Sequence, residues 1–306
     1  MGDISVEAVA GLRGLHPEGP LWDADTGRLW WVDIAGERVH CYDPASGADC
    51  SWGTDGQPGG VVLDPAGQPL VAAPDGLTTL DRSTGSLRLR VAVERDHPEN
   101  RANDAKVDGR GRVWVGTMAF DKRPGNAALY RVDDERVTRV VEGLTISNGP
   151  AFDEPAGRLY LADTGPCVVD VFDLDPDAGV LSGRRRLADL GDVGIWPDGM
   201  TVDDAGMLWV AMGRAGAVHR YRADGTLDGV VEVPTTNPTS VAFGGADGGD
   251  LYITTSWVDC EPDARAQSTA GAVFRCRPGV TGPPSPRCAV ASAPLDTSSP
   301  GKGNLA

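Results

Sequence analysis

This chain is short of the features that mark most enzyme and binding classes. None of its six cysteines (41, 50, 167, 260, 276 and 288) forms C-x-x-C, which excludes a zinc ribbon and a thioredoxin-type site. It has no G-x-S-x-G elbow, H-E-x-x-H, phosphate-binding loop or dinucleotide fingerprint. The four histidines (16, 40, 97 and 219) are scattered, so no nucleophilic triad is legible. Basic residues are few: 28 Lys and Arg against 44 Asp and Glu leave a net charge of −16, which repels phosphate backbones and argues against nucleic-acid partners. No apolar run approaches bilayer-spanning length, and Met1-Gly2-Asp3 lacks the basic and apolar regions of a signal peptide. The expectation is a cytoplasmic protein without a membrane partner, its thiols reduced and mostly buried. Cys41 and Cys50 stand at hairpin spacing, and pairing between them stays open.

Turn-formers, by contrast, abound. Gly (41) and Pro (23) punctuate 306 residues too often for a helical bundle, while 41% hydrophobic residues are enough for a core. The punctuation is periodic. Each unit has an anchor residue, an apolar residue four positions on, a turn, a Gly, and then a strand such as Leu29-Trp-Trp-Val32 or Val113-Trp-Val115. The anchors are Glu18, Gly59, Asn103, Asn148, Asp198 and Thr239, spaced 41, 44, 45, 50 and 41 apart, the period of a four-stranded propeller blade. A second alternating run follows in most units, for example Ala128-Leu-Tyr-Arg131 and Val218-His-Arg-Tyr221, each closed by a turn. Six units predict an all-β, six-bladed β-propeller over residues 1–291. Its last repeat supplies three strands, the last near residues 288–291. The early segment 4–10 closes the ring, and residues 292–306 form a disordered tail.

In a propeller the first strand of each blade lines the central channel, so the anchors form a ring at one mouth. Five of the six carry side-chain oxygens, and the column four residues on (Trp22, Leu63, Val107, Phe152, Val202, Phe243) is apolar. Two carboxylates and two carboxamides converging above apolar walls repel or go unsatisfied unless a cation holds them. An all-oxygen set suits a hard divalent cation, Ca²⁺ first, then Mg²⁺ or Mn²⁺, while Zn²⁺ also accepts carboxylate oxygen. Asn and Asp also suit blade-entry turns, which is the competing reading of the column. A calcium-loop look-alike, Asp173-Leu-Asp-Pro-Asp177, has Ala178 where a Gly is required and Arg184 where a Glu is, so it is read as a turn.

The segments Glu18-Gly-Pro-Leu-Trp22, Asn103-Asp-Ala-Lys-Val-Asp108, Val113-Trp-Val-Gly-Thr-Met118, Ser147-Asn-Gly-Pro150, Tyr160-Leu-Ala-Asp163 and Pro197-Asp-Gly-Met200 recur in order over residues 15–275. With them the chain resembles the regucalcin-like SMP-30/gluconolactonase/luciferin-regenerating-enzyme family. The resemblance implies one divalent cation in the channel, held by Glu18, Asn148 and Asp198, with substrate contacts from Arg101 and Asn103. It also places an acidic residue after Gly-Thr-Met. Here that is Asp121, shorter than the usual Glu, which touches substrate specificity. His16, close to Glu18, is either a residue of the site or a solvated entry-loop side chain.

The implied chemistry is opening of a lactone ring, most simply a sugar (aldono-) lactone. A cation on protein oxygens polarises a carbonyl and lowers the pKa of a bound water. Asp198 then serves as general base, and Arg101 receives the lactone oxygens or the developing carboxylate. The shortened Asp121 and the aromatic residues Trp22, Phe120 and Trp196 instead suit a less polar ester, a phosphotriester or a natural-product lactone at the same site. A propeller enzyme of the strictosidine-synthase or paraoxonase type, and a non-enzymatic calcium-binding or scaffold propeller, complete the alternatives. Closure of the ring removes most strand edges, so a monomer is expected.

Overall fold

Each repeat becomes a hairpin for a local reason. In blades one to five an Asp at the end of the inner strand turns its carboxylate back on the backbone of the turn it starts, while blade six has Gly244 there. Asp64 Oδ1 accepts from Ala66 N and Gln68 N, both at 2.8 Å. Asp108 Oδ1 accepts from Arg110 N and Arg112 N, both at 3.0 Å, and Asp203 Oδ1 from Ala205 N and Met207 N at 3.0 and 2.9 Å. These are Asx turns, and the Gly that follows takes the left-handed φ they need, +80° at Gly111 and +74° at Gly206. In blades three and five the second carboxylate oxygen receives an indole N–H from the next strand, Trp114 at 2.8 Å and Trp209 at 2.9 Å. The Asp and the Trp of the repeat are thus one hydrogen-bonded unit.

The computed structural model describes residues 4–258 and 269–290. Its strands form six four-stranded antiparallel sheets in a ring, a six-bladed β-propeller. The inner strands are Pro17–Asp23, Gly60–Leu63, Asn100–Val107, Ser147–Asp153, Trp196–Val202 and Pro238–Gly244 for blades one to six. Apolar clusters fill the seams between blades. Trp114 packs edge-on against Phe152 and Trp209 against Phe243, each with centroids 5.7 Å apart, so a blade's second strand meets the next blade's inner strand.

The ring closes where residues 4–10 were expected to close it. Val6–Arg13 pairs with Ala272–Cys276 as the outer strand of blade six, with Val6 opposite Cys276 and Ala8 opposite Phe274. The third strand of that blade is therefore Ala272–Cys276, and of the strand expected near residues 288–291 the described part, 288–290, is not a strand. Residues 281–290 instead cross the far mouth of the channel. Cys288 N donates to Leu63 O at 2.8 Å, Ala289 N to Gly111 O at 2.7 Å and Asp204 N to Thr281 O at 2.9 Å, while Arg287 clasps Asp25 at 2.6 Å and also reaches Asp23. Proline at 283, 284 and 286 has no N–H to give a ladder, which is why this segment straps rather than pairs. The tail at 292–306 lies outside the described residues, as does Cys260. Cys41 and Cys50 face each other in register, and both are free thiols.

Candidate active site in the channel mouth

All six inner strands enter the channel in the same sense, so the anchors meet at one end. Five of the six blades shift pairing register at or beside the anchor, between Glu18 and Leu21, Ala102 and Asp104, Asn148 and Ala151, Pro197 and Met200, and Pro238 and Ser240. A bulge re-aims the side chain next to it, here toward the axis. Glycine makes the bulge possible behind Glu18 and Asn148, with φ of +54° at Gly19 and +79° at Gly149.

The cavity at this mouth has a volume of about 450 Å³. Glu18, Arg101, Asn103, Asn148, Asp198 and Thr239 line it, with His16, Phe120, Lys122, Thr164 and Trp196 around them. A smaller cavity of about 280 Å³ lies at the far mouth, between the apolar column and the strap. Two expectations do not fit this geometry. Asp121 stands outside the cavity, mostly exposed, its carboxylate accepting from Arg123 Nε at 3.1 Å. The bend after Ala119 turns Phe120 and Lys122 inward and leaves Asp121 facing solvent. Trp22 is buried between blades one and six, stacked on Tyr252 at 5.6 Å, and takes no part in the site.

Electrostatically the floor is under tension. Glu18 is buried, its Oε2 accepting from Gly19 N while its Oε1 is buried without any partner. The carboxyl of Asp198 is near enough for the two charges to repel. Burial, then the charges of Asp198 and Asp104, hold Glu18 well above the usual carboxylate range. Burial, then the charge of Asp104, does the same to Asp198. Arg101, 8% exposed, is pulled down to about 10 by burial against the opposing pull of Glu18 and Asp198, so it is charged at neutral pH. Its Nη1 donates to Ala102 O at 2.8 Å and to Asn103 Oδ1 at 3.2 Å.

An orphaned carboxylate oxygen beside a second carboxyl is what a cation would satisfy. A bound proton would also relieve the repulsion of the pair. Among the described residues no three His, Cys, Asp or Glu side chains stand together as a metal group, and a neutral oxygen is a suitable further donor beside the two carboxyls. Asn148 offers one, being buried on the same floor. The residues present therefore fit a hard divalent cation.

Two contributors went unnoticed in the sequence. Asp104, fully buried one residue past its anchor, accepts from Ala105 N at 2.7 Å and Gly149 N at 3.1 Å. Burial raises it to about 6 against the pull of Lys106. Thr164 lies in the turn after the second strand of blade four and contacts Asn148. The bulge in blade three hides the first from period-2 reading, and the second lies 16 residues from its partner, outside any column.

His16 lines the entrance, with its Nδ1 at 3.1 Å from Ser256 Oγ and its backbone N–H donating to Asp33. No helix among the described residues is long and apolar enough to cross a membrane.

Comparison with known proteins agrees with this architecture. Residues 16–257 match the family model described as an SMP-30/gluconolactonase/LRE-like region. The chain is 40% identical over 274 residues to a pentonolactonase of Haloferax volcanii, covering 87% of this chain and 92% of that one. It is 35% identical over 281 residues to regucalcin of Danio rerio, covering 90% and 95%. A crystal structure of a calcium-binding protein, regucalcin, from Agrobacterium tumefaciens superposes with a TM-score of 0.88 at 29% identity, covering 93% of this chain and 97% of that one. With the repeat, the ring and the family match in agreement, this chain belongs to the SMP-30/gluconolactonase/LRE-like family.

Proposed function

We propose that the protein is a divalent-cation-dependent lactonase that opens a sugar lactone at the channel mouth. The observation that carries this reading is the orphaned Oε1 of Glu18 next to the carboxyl of Asp198, with Arg101 buried beside them. The pentonolactonase relative supports the reaction class. Glu18, Asn148 and Asp198 would hold the cation, Ca²⁺ first. When bound, it supplies Lewis acidity to a lactone carbonyl and to water.

This chain's own residues do the rest. Asp198, lining the cavity, takes a proton from the attacking water. Arg101, backed by Asn103, presents a buried guanidinium to the oxygens that gain charge as the ring C–O bond breaks. The leaving ring oxygen takes up a proton, and the product is a hydroxy acid that ionises at neutral pH, so turnover releases one proton. Phe120, Trp196, Ile34 and Val258 give the cavity a largely apolar wall, which favours a less polar lactone or ester as the second reading.

The test is proton release from a panel of aldonolactones and aryl esters by cation-stripped protein, with Ca²⁺, Mg²⁺, Mn²⁺ or Zn²⁺ then added singly. Cation-restored opening of a sugar lactone, lost in Asp198→Ala, is the expected result. Tight cation binding without turnover of any aldonolactone would sink the sugar-lactone reading and leave the aryl-ester arm to decide the second.

A further inference from the structure

We propose that Thr164 is a positioning residue, which fixes which end of the Asn148 carboxamide faces the channel. The inference rests on the reading of Asn148 as a cation-holding residue.

The argument starts from proton counting. A threonine hydroxyl has one proton to give and lone pairs to receive. Thr164 is buried, and its Oγ1 donates to the carbonyl oxygen of Pro197 at 2.7 Å. A carbonyl cannot donate, so the single proton is committed there. Toward Asn148 the hydroxyl is therefore an acceptor only, and Asn148 Nδ2 donates to it at 2.7 Å. The amide nitrogen is held on the outer side, and Oδ1 is forced inward.

The inner side independently requires the same orientation. Asn148 Oδ1 accepts from Asn103 Nδ2 at 2.7 Å. Asn103 cannot turn round, because the same Nδ2 donates to Ser147 O at 3.1 Å while its Oδ1 accepts from Arg101 Nη1 at 3.2 Å. A flipped Asn148 would set amide against amide on one side and oxygen against a hydroxyl with no proton left on the other. In a buried network both errors are costly. The polarised chain thus runs from Arg101 through Asn103, Asn148 and Thr164 to Pro197.

That last carbonyl matters, because Pro197 directly precedes Asp198. One hydroxyl from the blade-four turn holds the carboxamide of Asn148 and also the strand that carries Asp198. Thr164 therefore sets the relation between two donors that come from different blades. The turn is pinned in its own right by Thr164 N donating to Ile146 O at 3.1 Å, so the hydroxyl starts from a fixed place.

The experiment is calorimetric Ca²⁺ binding to cation-stripped protein, with thermal melts of the stripped protein alongside. Thr164→Val keeps the shape and removes both hydrogen bonds. Partners that orient a ligand are worth roughly 10–100-fold in affinity, and that loss is expected here. Thr164→Ser, which keeps the hydroxyl, is expected to stay within about threefold of wild type, on the same reasoning. Asn148→Asp supplies two equivalent oxygens and has no orientation to fix, so adding Thr164→Val to it should cost only the part carried through Pro197, clearly less than Thr164→Val costs alone.

Unchanged affinity in Thr164→Val overturns the proposal, as does an equal loss in the Asn148→Asp background. A lowered melting temperature with wild-type affinity also overturns it, since that is what a merely structural role predicts. If the wild-type protein binds no divalent cation, the cation site and this inference fall together. Wild-type binding with an indifferent Thr164 removes only the inference.

Discussion

Three carboxyls crowd the channel floor, and each is held above the ordinary carboxylate range by burial first. For a group whose folded pKa is raised, the native state binds more protons than the unfolded chain. Its stabilisation is full below the unfolded value and is lost as pH rises through the folded one. For Asp104 that upper value is about 6. Cation-free protein should therefore lose stability on this account as pH rises across that value, opposite to ordinary acid denaturation. A bound cation favours the ionised forms, so the melting-temperature gain given by saturating Ca²⁺ should widen from about pH 5 to about pH 8. Scanning calorimetry with and without chelator measures that gap, and a gap independent of pH would count against a cation on these carboxyls. Glu18, Asn148 and Asp198 were placed at the channel mouth by the repeat, as all six anchors were, while singling them out as cation holders came from the family resemblance. Asp121 was assigned on its place after Gly-Thr-Met, but which way a loop residue faces depends on the bend, and here it pairs with Arg123.

At the scale of the strand, the odd member of the anchor column has a steric explanation. A Cβ on Gly59 would stand 2.6 Å from the carbonyl carbon of Ala102 and 2.7 Å from Asn103 N, both backbone atoms that cannot swing away. Blades two and three touch there main chain to main chain. Gly59→Ala should cost about 1–3 kcal/mol in urea unfolding, the usual range for overpacking. It should also raise the KM for lactone, since the atoms displaced belong to the residue beside Arg101. An unchanged KM with reduced stability would uncouple this seam from the site. The inner strands themselves were readable from alternation and Asx-turn chemistry, which are local. The bulges were not, because an extra residue in one strand shows only against its partner.

At the scale of the molecule the ring is fastened twice, by Val6–Arg13 in blade six and by the strap at residues 281–290. The strap ties blades one, two, three, five and six at the mouth opposite the site, through Arg287, Cys288, Ala289, Thr281 and Gly282. Ending the chain at Arg277 should lower the melting temperature by roughly 5–10 °C, the shift that losing a few kcal/mol produces in a domain of this size. Ca²⁺ affinity should stay within about threefold of the full chain, because no strap residue lines the site cavity. A truncated protein that melts like the full chain would show the strap to be incidental. The sequence pointed to one closure and misassigned the other, taking residues 288–291 for a strand when Cys288 and Ala289 bond instead to Leu63 and Gly111 of two different blades.

The sequence alone determined the repeat, the number of blades and the end at which polar anchors gather. Each of these follows from local chemistry: a period of two along a strand, an Asp that caps its own turn, and a Gly that accepts a left-handed φ. The tertiary structure alone decided that Asp104 joins Glu18 and Asp198 beneath the cavity, that Asp121 faces solvent, that Trp22 is seam packing, and that Thr164 meets Asn148 and Pro197 together. The reason is that residues from different blades become neighbours only once the ring has closed, and no spacing along one chain encodes that distance.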